Sequence, residues 1–240
     1  MDASWEEFGW ERLGHKVGRR RLPVWDATVA LVAGTDGVLL FDTGSSLREG
    51  VEVRAQAQSL LGRRVTHIAL SHPHFDHVLG TAAFAGAQVY GARGMAELLR
   101  SGADELHSDA VRQGLAEHDA AESTDALVAP HHQVSGEWTL DLGGGCEVVL
   151  VNVGAGHSGH DLAALVPGSP SIVFCGDLVE ESGEPQAGPD AFPARWPAAL
   201  DRLLELGGED GLYVPGHGAV VDAAFVRAQR DDLAVRFGVS

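Results

Sequence analysis

The sequence predicts an α/β protein in which two layers of sheet and helix pack face to face. Apolar, strand-like runs are followed by helix-like segments twice along the chain, once in each half. Apolar residues make up 45% of the 240 residues, which is enough for a sizeable core. This length allows one large domain or two small ones, and the similar order of elements in the two halves favours a single domain.

The first half begins with a predicted β-hairpin, because two apolar runs flank the turn residues 34–37 (Gly-Thr-Asp-Gly). The first helix is predicted to end at Gly62, since glycine readily adopts the left-handed conformation that stops a helix. The predicted strands of this half are 24–33, 38–42, 65–70 and 88–90, and the predicted helices are 49–61, 93–100 and 104–119.

The second half repeats this order after a predicted loop over 121–136. A second loop is predicted over 180–195, where proline and glycine interrupt the apolar pattern. Asp222 is the predicted N-cap of the last helix, because its side chain can accept a hydrogen bond from the first turn. The predicted strands are 137–142, 147–153, 162–166, 171–175 and 212–214, and the predicted helices are 197–206 and 223–237.

The charge of the chain argues against a nucleic-acid partner. Lysine and arginine number 17 against 34 acidic residues, a net charge of −17, whereas binding to a phosphate backbone needs a basic face. Two short basic runs, 19–21 and 63–64, are expected on exposed surface. The sequence contains no apolar run long enough to span a membrane and no pattern typical of a signal peptide, so we expect a cytoplasmic protein. Two cysteines are too few for a disulfide framework.

The most informative feature is the sequence HPHFDH at residues 72–77, which contains three imidazoles and one carboxylate. Alternation along an extended segment places His72 and His74 on the same side. This pair can face one metal ion while Asp76 and His77 face another. Imidazole and carboxylate suit Zn²⁺, and also Fe and Mn. The motif therefore predicts part of a site for two metals.

Two metals need about seven or eight ligands, so others must come from elsewhere in the chain. Three later segments place a ligand-type side chain just beyond an apolar strand, namely His157, Asp177 and His217. Neighbouring glycines allow the backbone to come close and to adopt unusual conformations. Because the motif at 72–77 also follows a strand, we expect these segments to meet at one edge of the sandwich.

Together these pieces resemble the metallo-β-lactamase superfamily. The matching pieces, in family order, are Phe41-Asp42-Thr43-Gly44, the motif at 72–77, Gly156-His157-Ser158, Gly176-Asp177 and Pro215-Gly216-His217-Gly218. The resemblance implies a four-layer αββα sandwich, with two mixed sheets flanked by helices, in a single domain over residues 1–240. Residues 1–23 would then be an N-terminal extension, and 104–136 and 180–196 would be insertions that shape the pocket.

The resemblance also implies a role for each candidate site residue. It assigns His72, His74 and His157 to the first metal, Asp76, His77 and His217 to the second, and Asp177 to a bridge between them. Asp42 would brace the ligand loop from behind. His160 would be a supporting or structural histidine rather than a ligand, because its spacing after His157 is tighter than in many relatives.

The function implied is that of a binuclear zinc hydrolase. A metal-bridging hydroxide would attack an ester, lactone, thioester or amide bond of a small-molecule substrate, with Asp76 and Asp177 as the catalytic residues. Glu180 and Glu181 would disfavour anionic substrates if they point inward. One alternative is a persulfide dioxygenase with a single iron held by His72, His157 and Asp177, and another is a metal-binding domain without catalysis.

Overall fold

Two mixed β-sheets form the centre of the computed structural model, which describes residues 4–239. The strands of the first sheet neighbour one another in chain order: β1 (Glu11–Gly14), β2 (Val17–Arg21), β3 (Thr28–Ala33), β4 (Val38–Phe41), β5 (His67–Ala69), β6 (Gln88–Ala92) and β7 (His132–Val134). Neighbouring strands are antiparallel from β1 to β4 and parallel from β4 to β7.

The second sheet and the helices complete the layers. The strands of this sheet are β8 (Glu137–Asp141), β9 (Glu147–Val151), β10 (Ala163–Val166), β11 (Ile172–Glu180) and β12 (Leu212–His217). They neighbour one another in chain order, and only β11 and β12 pair in parallel. The α-helices are α1 (Leu47–Leu61), α2 (Phe75–Val78), α3 (Met95–Ser101), α4 (Ala103–Arg112), α5 (Glu117–Asp125), α6 (Trp196–Gly207) and α7 (Ala223–Phe237).

Three apolar layers hold the sheets and helices together. One lies between the first sheet and helices α1 to α5, and another lies between the second sheet and helices α6 and α7. The third lies between the two sheets, where Phe41 stacks on Phe174 with ring centroids 5.6 Å apart. The fold is therefore the predicted four-layer αββα sandwich. Every residue of β3 is buried, because this strand is covered on both faces.

The predicted helix ends at Gly62 and Asp222 are confirmed. Gly62 has a φ of +65° and its N–H donates to the carbonyl of Gln58. Asp222 accepts a hydrogen bond of 2.9 Å from the N–H of Phe225, as an N-cap does.

The single helix predicted over 104–119 is wrong. The chain forms α4 and α5 instead, and Gly114 between them has a φ of +105°, which a continuous helix does not allow. The loop predicted over 121–136 is also partly wrong, because α5 extends to Asp125 and β7 pairs with β6. Few apolar residues mark α5 in the sequence, and β7 gains its hydrogen bonds from a distant strand, so neither had a local pattern.

The N-terminal residues belong to the first sheet. Residues 11–21 supply β1 and β2, although 1–23 was expected to be an extension. Arg19 was expected on exposed surface, but it is only 3% exposed. Its guanidinium donates hydrogen bonds of 2.7 Å to Glu11 and to the carbonyl of Gly218. A buried arginine needs such partners, and here they tie β2 to the residue that follows His217.

The two predicted insertions take different forms. The segment 104–136 contributes α4, α5 and β7, and α4 packs against α2, which carries Asp76 and His77. The segment 181–195 connects β11 to α6 and contains neither helix nor strand. Among residues 4–239, no helix combines the length and the apolar character needed to cross a bilayer.

Candidate metal centre

Seven histidine and aspartate side chains meet at one edge of the sandwich. Within the described residues they form two groups, each with one ligand-type atom per residue and all those atoms within 4.8 Å of one another. The first group contains His72, His74, His157 and Asp177, and the second contains Asp76, His77 and His217. The structure thus brings together the seven residues that the resemblance assigned to the two metals.

The atoms that face the centre have the spacing of metal ligands. His74 Nδ1 lies 3.0 Å from His157 Nε2, and His77 Nε2 lies 3.4 Å from His217 Nε2. Asp76 Oδ2 lies 3.5 Å from His77 Nε2 and 3.4 Å from His217 Nε2. Tetrahedral ligands at about 2.1 Å from a zinc ion would be about 3.4 Å apart. Each group therefore has the dimensions that one cation requires.

Asp177 lies between the two groups. Its Oδ2 atom is 3.6 Å from His72 Nε2, 3.4 Å from His157 Nε2 and 3.3 Å from His217 Nε2. Its Oδ1 atom is 3.2 Å from His77 Nε2. This carboxylate is in contact with histidines of both groups, which is the position that a bridging ligand needs.

Each of the five histidines uses its outer ring nitrogen as a hydrogen-bond donor. The pairs are His72 Nδ1 to Ser71 Oγ (2.8 Å), His74 Nε2 to Asp190 Oδ2 (3.0 Å), His77 Nδ1 to Asp42 Oδ2 (2.9 Å), His157 Nδ1 to the Gln186 carbonyl (3.1 Å) and His217 Nδ1 to the Trp25 carbonyl (2.8 Å). Carbonyl and carboxylate oxygens only accept, and the Ser71 hydroxyl already donates its proton to Asp42. The tautomer of each neutral ring is therefore fixed, and the nitrogen that faces the centre is the one that would bind a metal.

With the rings in their neutral form, every inward-facing atom is an acceptor, and this arrangement fits a cation. His72 Nε2 and Asp177 Oδ1 are buried and form no hydrogen bond with any described residue. A buried acceptor without a partner is unfavourable, and a cation satisfies it. Imidazole and carboxylate without thiolate form a donor set that zinc, iron and manganese share. The residues therefore fit a site for divalent cations.

In the first group, burial favours neutral imidazoles. It lowers the pKa of His72 well below the usual value and that of His157 to about 4, although Asp177 opposes both shifts. His74 differs, because its hydrogen bond to Asp190 and the nearby carboxylates outweigh burial and raise its pKa. Two of the three rings are thus ready to bind a metal at neutral pH.

In the second group, the negative charge of nearby carboxylates outweighs the effect of burial on the histidine pKa values. Asp177 and Asp76 raise the pKa of His77 well above the usual value and that of His217 to about 9. Burial acts on Asp177 as well, but the surrounding imidazoles outweigh it and hold the pKa of Asp177 well below the usual value. Without metal, this group therefore holds protons that a cation would replace.

Asp42 braces both groups from behind. It is 1% exposed and accepts hydrogen bonds from the N–H of Ser71 (2.7 Å), from the Ser71 hydroxyl (2.7 Å) and from His77 Nδ1 (2.9 Å). Its φ of +57° is unusual for a residue other than glycine, and aspartate tolerates it better than most. Asp42 therefore holds His77 directly and His72 through Ser71.

Two glycines allow the backbone to approach the site closely. Gly176 has a φ of +55°, and a Cβ there would lie 2.7 Å from the Cβ of Ser71. A Cβ at Gly216 would collide with Oδ1 of Asp177. These positions explain why glycine precedes Asp177 and His217 in the chain.

Asp161 is a supporting residue to which sequence reasoning assigned no role. It is buried and accepts hydrogen bonds from the N–H of Gly156 (2.9 Å), the N–H of Ser158 (3.0 Å) and the Ser158 hydroxyl (2.6 Å). These bonds fold the loop that carries His157. Burial raises the pKa of Asp161 to about 7, although the hydrogen bonds oppose this shift.

The outer partners Trp25, Gln186 and Asp190 were also missed. Trp25 and Gln186 act through backbone carbonyls, which carry no signal in a sequence. Asp190 is 116 positions from His74, so no local spacing connects the two. Only the general prediction that the segment 180–196 shapes the pocket pointed to this region.

His160 lies outside the metal-type groups, whereas Glu180 lies beside them. His160 is bound to the carbonyl of Arg93 at 2.9 Å through Nδ1, and it belongs to neither metal-type group. It ties its loop to the residues before α3. Glu180, in contrast, has a carboxylate oxygen that lies within 4.8 Å of ligand-type atoms of Asp177 and His217, so this carboxylate faces the second group.

Comparison with known proteins decides the family. The family model described as the metallo-beta-lactamase superfamily matches residues 22–217. The chain belongs to the metallo-beta-lactamase superfamily. Most members of this superfamily are metal-dependent hydrolases. The matched range includes every residue of the two metal-type groups.

Individual relatives share the fold at low identity. The chain is 27% identical over 197 residues to Metallo-beta-lactamase domain-containing protein 1 of Xenopus laevis, covering 80% of this chain and 71% of the relative. A metallo-beta-lactamase from Pontibacter korlensis has a TM-score of 0.74 at 20% identity, with 93% of this chain and 97% of that chain covered. FIM-1 from Pseudomonas aeruginosa, solved in a mono-zinc form, has a TM-score of 0.69 at 19% identity, with 96% of each chain covered.

Proposed function

We propose that the protein is a binuclear zinc hydrolase that cleaves an ester, lactone, thioester or amide bond of a small molecule. The observation that carries this proposal is the arrangement of the inward-facing atoms. Five imidazole rings and two carboxylates face one another in two groups, Asp177 contacts histidines of both, and the outer hydrogen bonds orient all five rings. Iron and manganese suit the same donor set, and we place zinc first because its tetrahedral spacing matches the distances.

The side chains of the two groups would serve as metal ligands in this reaction. His72, His74 and His157 would hold one cation, Asp76, His77 and His217 the other, and Asp177 would contact both. Two bound divalent cations lower the pKa of water towards 7 and polarise the oxygen of a substrate carbonyl. The outer hydrogen bonds keep each imidazole in the tautomer and orientation that this requires.

Asp76 is the residue best placed to move a proton. Its Oδ2 atom faces the centre, and its side chain is only 11% exposed. In our proposal, one oxygen of the Asp76 carboxylate would hold the cation, and the other accepts the proton of the attacking water and returns it to the leaving group. This role requires no nucleophilic serine or cysteine. Cys175 is buried among apolar side chains.

Negative charge around the site restricts the substrate. Glu180 adds a carboxylate beside Asp177 and His217. Within residues 4–239, no lysine or arginine forms an ion pair or a hydrogen bond with any of the seven grouped side chains. Two zinc ions would outweigh these carboxylates over the site as a whole, so the effect of Glu180 is local. We propose that this side chain disfavours an anionic group of the substrate beside the second metal position.

The complete second group argues for two metals rather than one. A site with a single iron would need only His72, His157 and Asp177. Asp76, His77 and His217 nevertheless converge, with their ligand-type atoms 3.4–3.5 Å apart. This convergence supports the binuclear hydrolase over the oxidoreductase.

The test is hydrolysis by the zinc-loaded protein of a panel of neutral esters, lactones, thioesters and amides. We expect about two zinc ions per chain by elemental analysis. His74→Ala should lower kcat/KM by about 10³-fold or more, because it removes a group that positions the metal at the reacting bond. His118→Ala is the matched control. This histidine is 82% exposed on α5 and should be replaceable without loss of activity.

Two outcomes would contradict the proposal. In one, the protein binds two zinc ions and hydrolyses none of the four classes. In the other, the purified protein contains iron and consumes oxygen with a persulfide substrate, which would favour the oxidoreductase.

A further inference from the structure

The loop between β11 and α6, residues 181–195, holds two of the three histidines of the first group. The Gln186 carbonyl accepts from His157 Nδ1 at 3.1 Å, and Asp190 Oδ2 accepts from His74 Nε2 at 3.0 Å. Both contacts approach the rings from the side opposite the metal-facing nitrogens. We propose that this loop sets the metal affinity of the first group, with Asp190 as a positioning residue. The inference rests on the proposed function, which makes this group a metal position.

The chemistry of the Asp190 contact supports this role. A carboxylate bonded to one nitrogen of an imidazole fixes the tautomer and increases the basicity of the other nitrogen. For His74, the other nitrogen is Nδ1, which lies 3.0 Å from His157 Nε2 inside the first group. Asp190 therefore strengthens the ligand atom that a cation would meet.

The loop is attached to the same parts of the chain that carry the ligands. The N–H of Phe192 donates to the carbonyl of Gly156 at 2.8 Å, next to His157. The Phe192 ring lies against Gly159, where an added Cβ would be 3.1 Å away. These contacts fix the position of the loop relative to the His157 segment, and so they hold Gln186 and Asp190 against their histidines.

The His74–Asp190 contact is more exposed to solvent than the His77–Asp42 contact of the second group. The Asp190 side chain is 41% exposed and that of His74 is 28% exposed. Asp42, which holds His77, is 1% exposed. A change in the loop can therefore reach the first metal position without disturbing the core.

The test measures zinc affinity rather than turnover. Each variant is prepared in a His217→Ala background, which leaves the first group complete, and in a His72→Ala background, which leaves the second group and the His74–Asp190 contact complete. We expect Asp190→Ala to weaken binding at the first position by about 10- to 100-fold. Asp190→Asn keeps an acceptor oxygen and should weaken it less. Binding at the second position should change by no more than about twofold.

Glu184→Gln is the matched control, because it removes one negative charge from the exposed surface of the same loop without touching either group. It should leave both affinities unchanged. Absorption spectra of the cobalt-loaded His217→Ala protein give a second measurement, since a displaced His74 ring alters the cobalt coordination that the spectrum reports. Asp190 is exposed, so its variants should fold, and circular dichroism checks this.

Three results would overturn the inference: unchanged affinity in Asp190→Ala, equal losses at both positions, or the same loss in Glu184→Gln. None of them depends on hydrolysis. A protein that binds two zinc ions but cleaves no substrate would contradict the proposed function alone, whereas unchanged affinity in an active hydrolase would contradict the role of the loop alone.

Discussion

The two metal-type groups contain similar ligands but are held by different parts of the molecule. In the first group, His74 and His157 depend on the exposed loop 181–195. In the second, His77 depends on the buried carboxylate of Asp42, and His217 depends on the carbonyl of Trp25 between β2 and β3. Asp177 is the residue that contacts both groups.

Under the proposed function, this difference would let the fold adjust two adjacent metal positions separately. His77 of the second position is held by a buried carboxylate, so a change in this support should affect the stability of the whole protein. The first position is completed by a loop, so a change there should affect metal binding with little effect on folding. The predictions below test this contrast.

The largest expected difference concerns folding. Asp42→Asn removes the charge of a buried acceptor that serves three donors and turns an amide N–H₂ towards one of them. We expect it to lower the free energy of unfolding of the metal-free protein by about 2–4 kcal/mol. Asp190→Asn alters a contact that is exposed to solvent and should change this free energy by about 0.5 kcal/mol or less. Urea denaturation in the presence of a chelator measures both.

Asparagine is the appropriate replacement for Asp42, because it also tolerates the positive φ of this position. If both variants lowered the free energy of unfolding by similar amounts, the proposed difference between the buried support of His77 and the loop support of His74 would be contradicted.

A smaller difference concerns pH. Without metal, burial opposes protonation of His217, but nearby carboxylates outweigh it and raise its pKa to about 9. The pKa of His157 is lowered by burial to about 4. A cation must displace any proton that a ligand holds. Below about pH 9, a proton therefore competes with the metal for His217, whereas His157 is already neutral at these pH values.

Zinc affinity at the second position should therefore fall by about tenfold or more for each pH unit between about pH 8.5 and 6.5. The first position, where His74 is the histidine with a raised pKa, should fall less steeply. Titrations at several pH values in the His217→Ala and His74→Ala backgrounds give the two slopes. Equal slopes, or a steeper slope at the first position, would contradict this assignment of protons.

The seven candidate ligands, which the structure brings together, could be recognised in the sequence because their signals are local. His72, His74, Asp76 and His77 lie within six residues, and the other three ligands each follow an apolar run beside a glycine. A strand followed directly by a ligand-type residue identifies the active edge of a sandwich without any knowledge of the loops.

The supports of the ligands could not be predicted, because they depend on contacts between distant segments. Trp25 and Gln186 contribute carbonyls that any residue would have, and Asp190 looks like an ordinary surface charge until the loop folds over His74. The same limit applies to the fold. The pairing of β1 with β2 and the burial of Arg19 depend on Glu11 and Gly218, and the break at Gly114 interrupts an otherwise helical pattern.

The most direct test of the account is diffraction from crystals of the zinc-loaded protein on both sides of the zinc absorption edge. We predict two anomalous peaks. One should lie in contact with His72, His74 and His157, the other in contact with Asp76, His77 and His217, and both should touch Asp177. A single peak, or peaks that lie away from these side chains, would contradict the claim that the seven residues form a site for two cations.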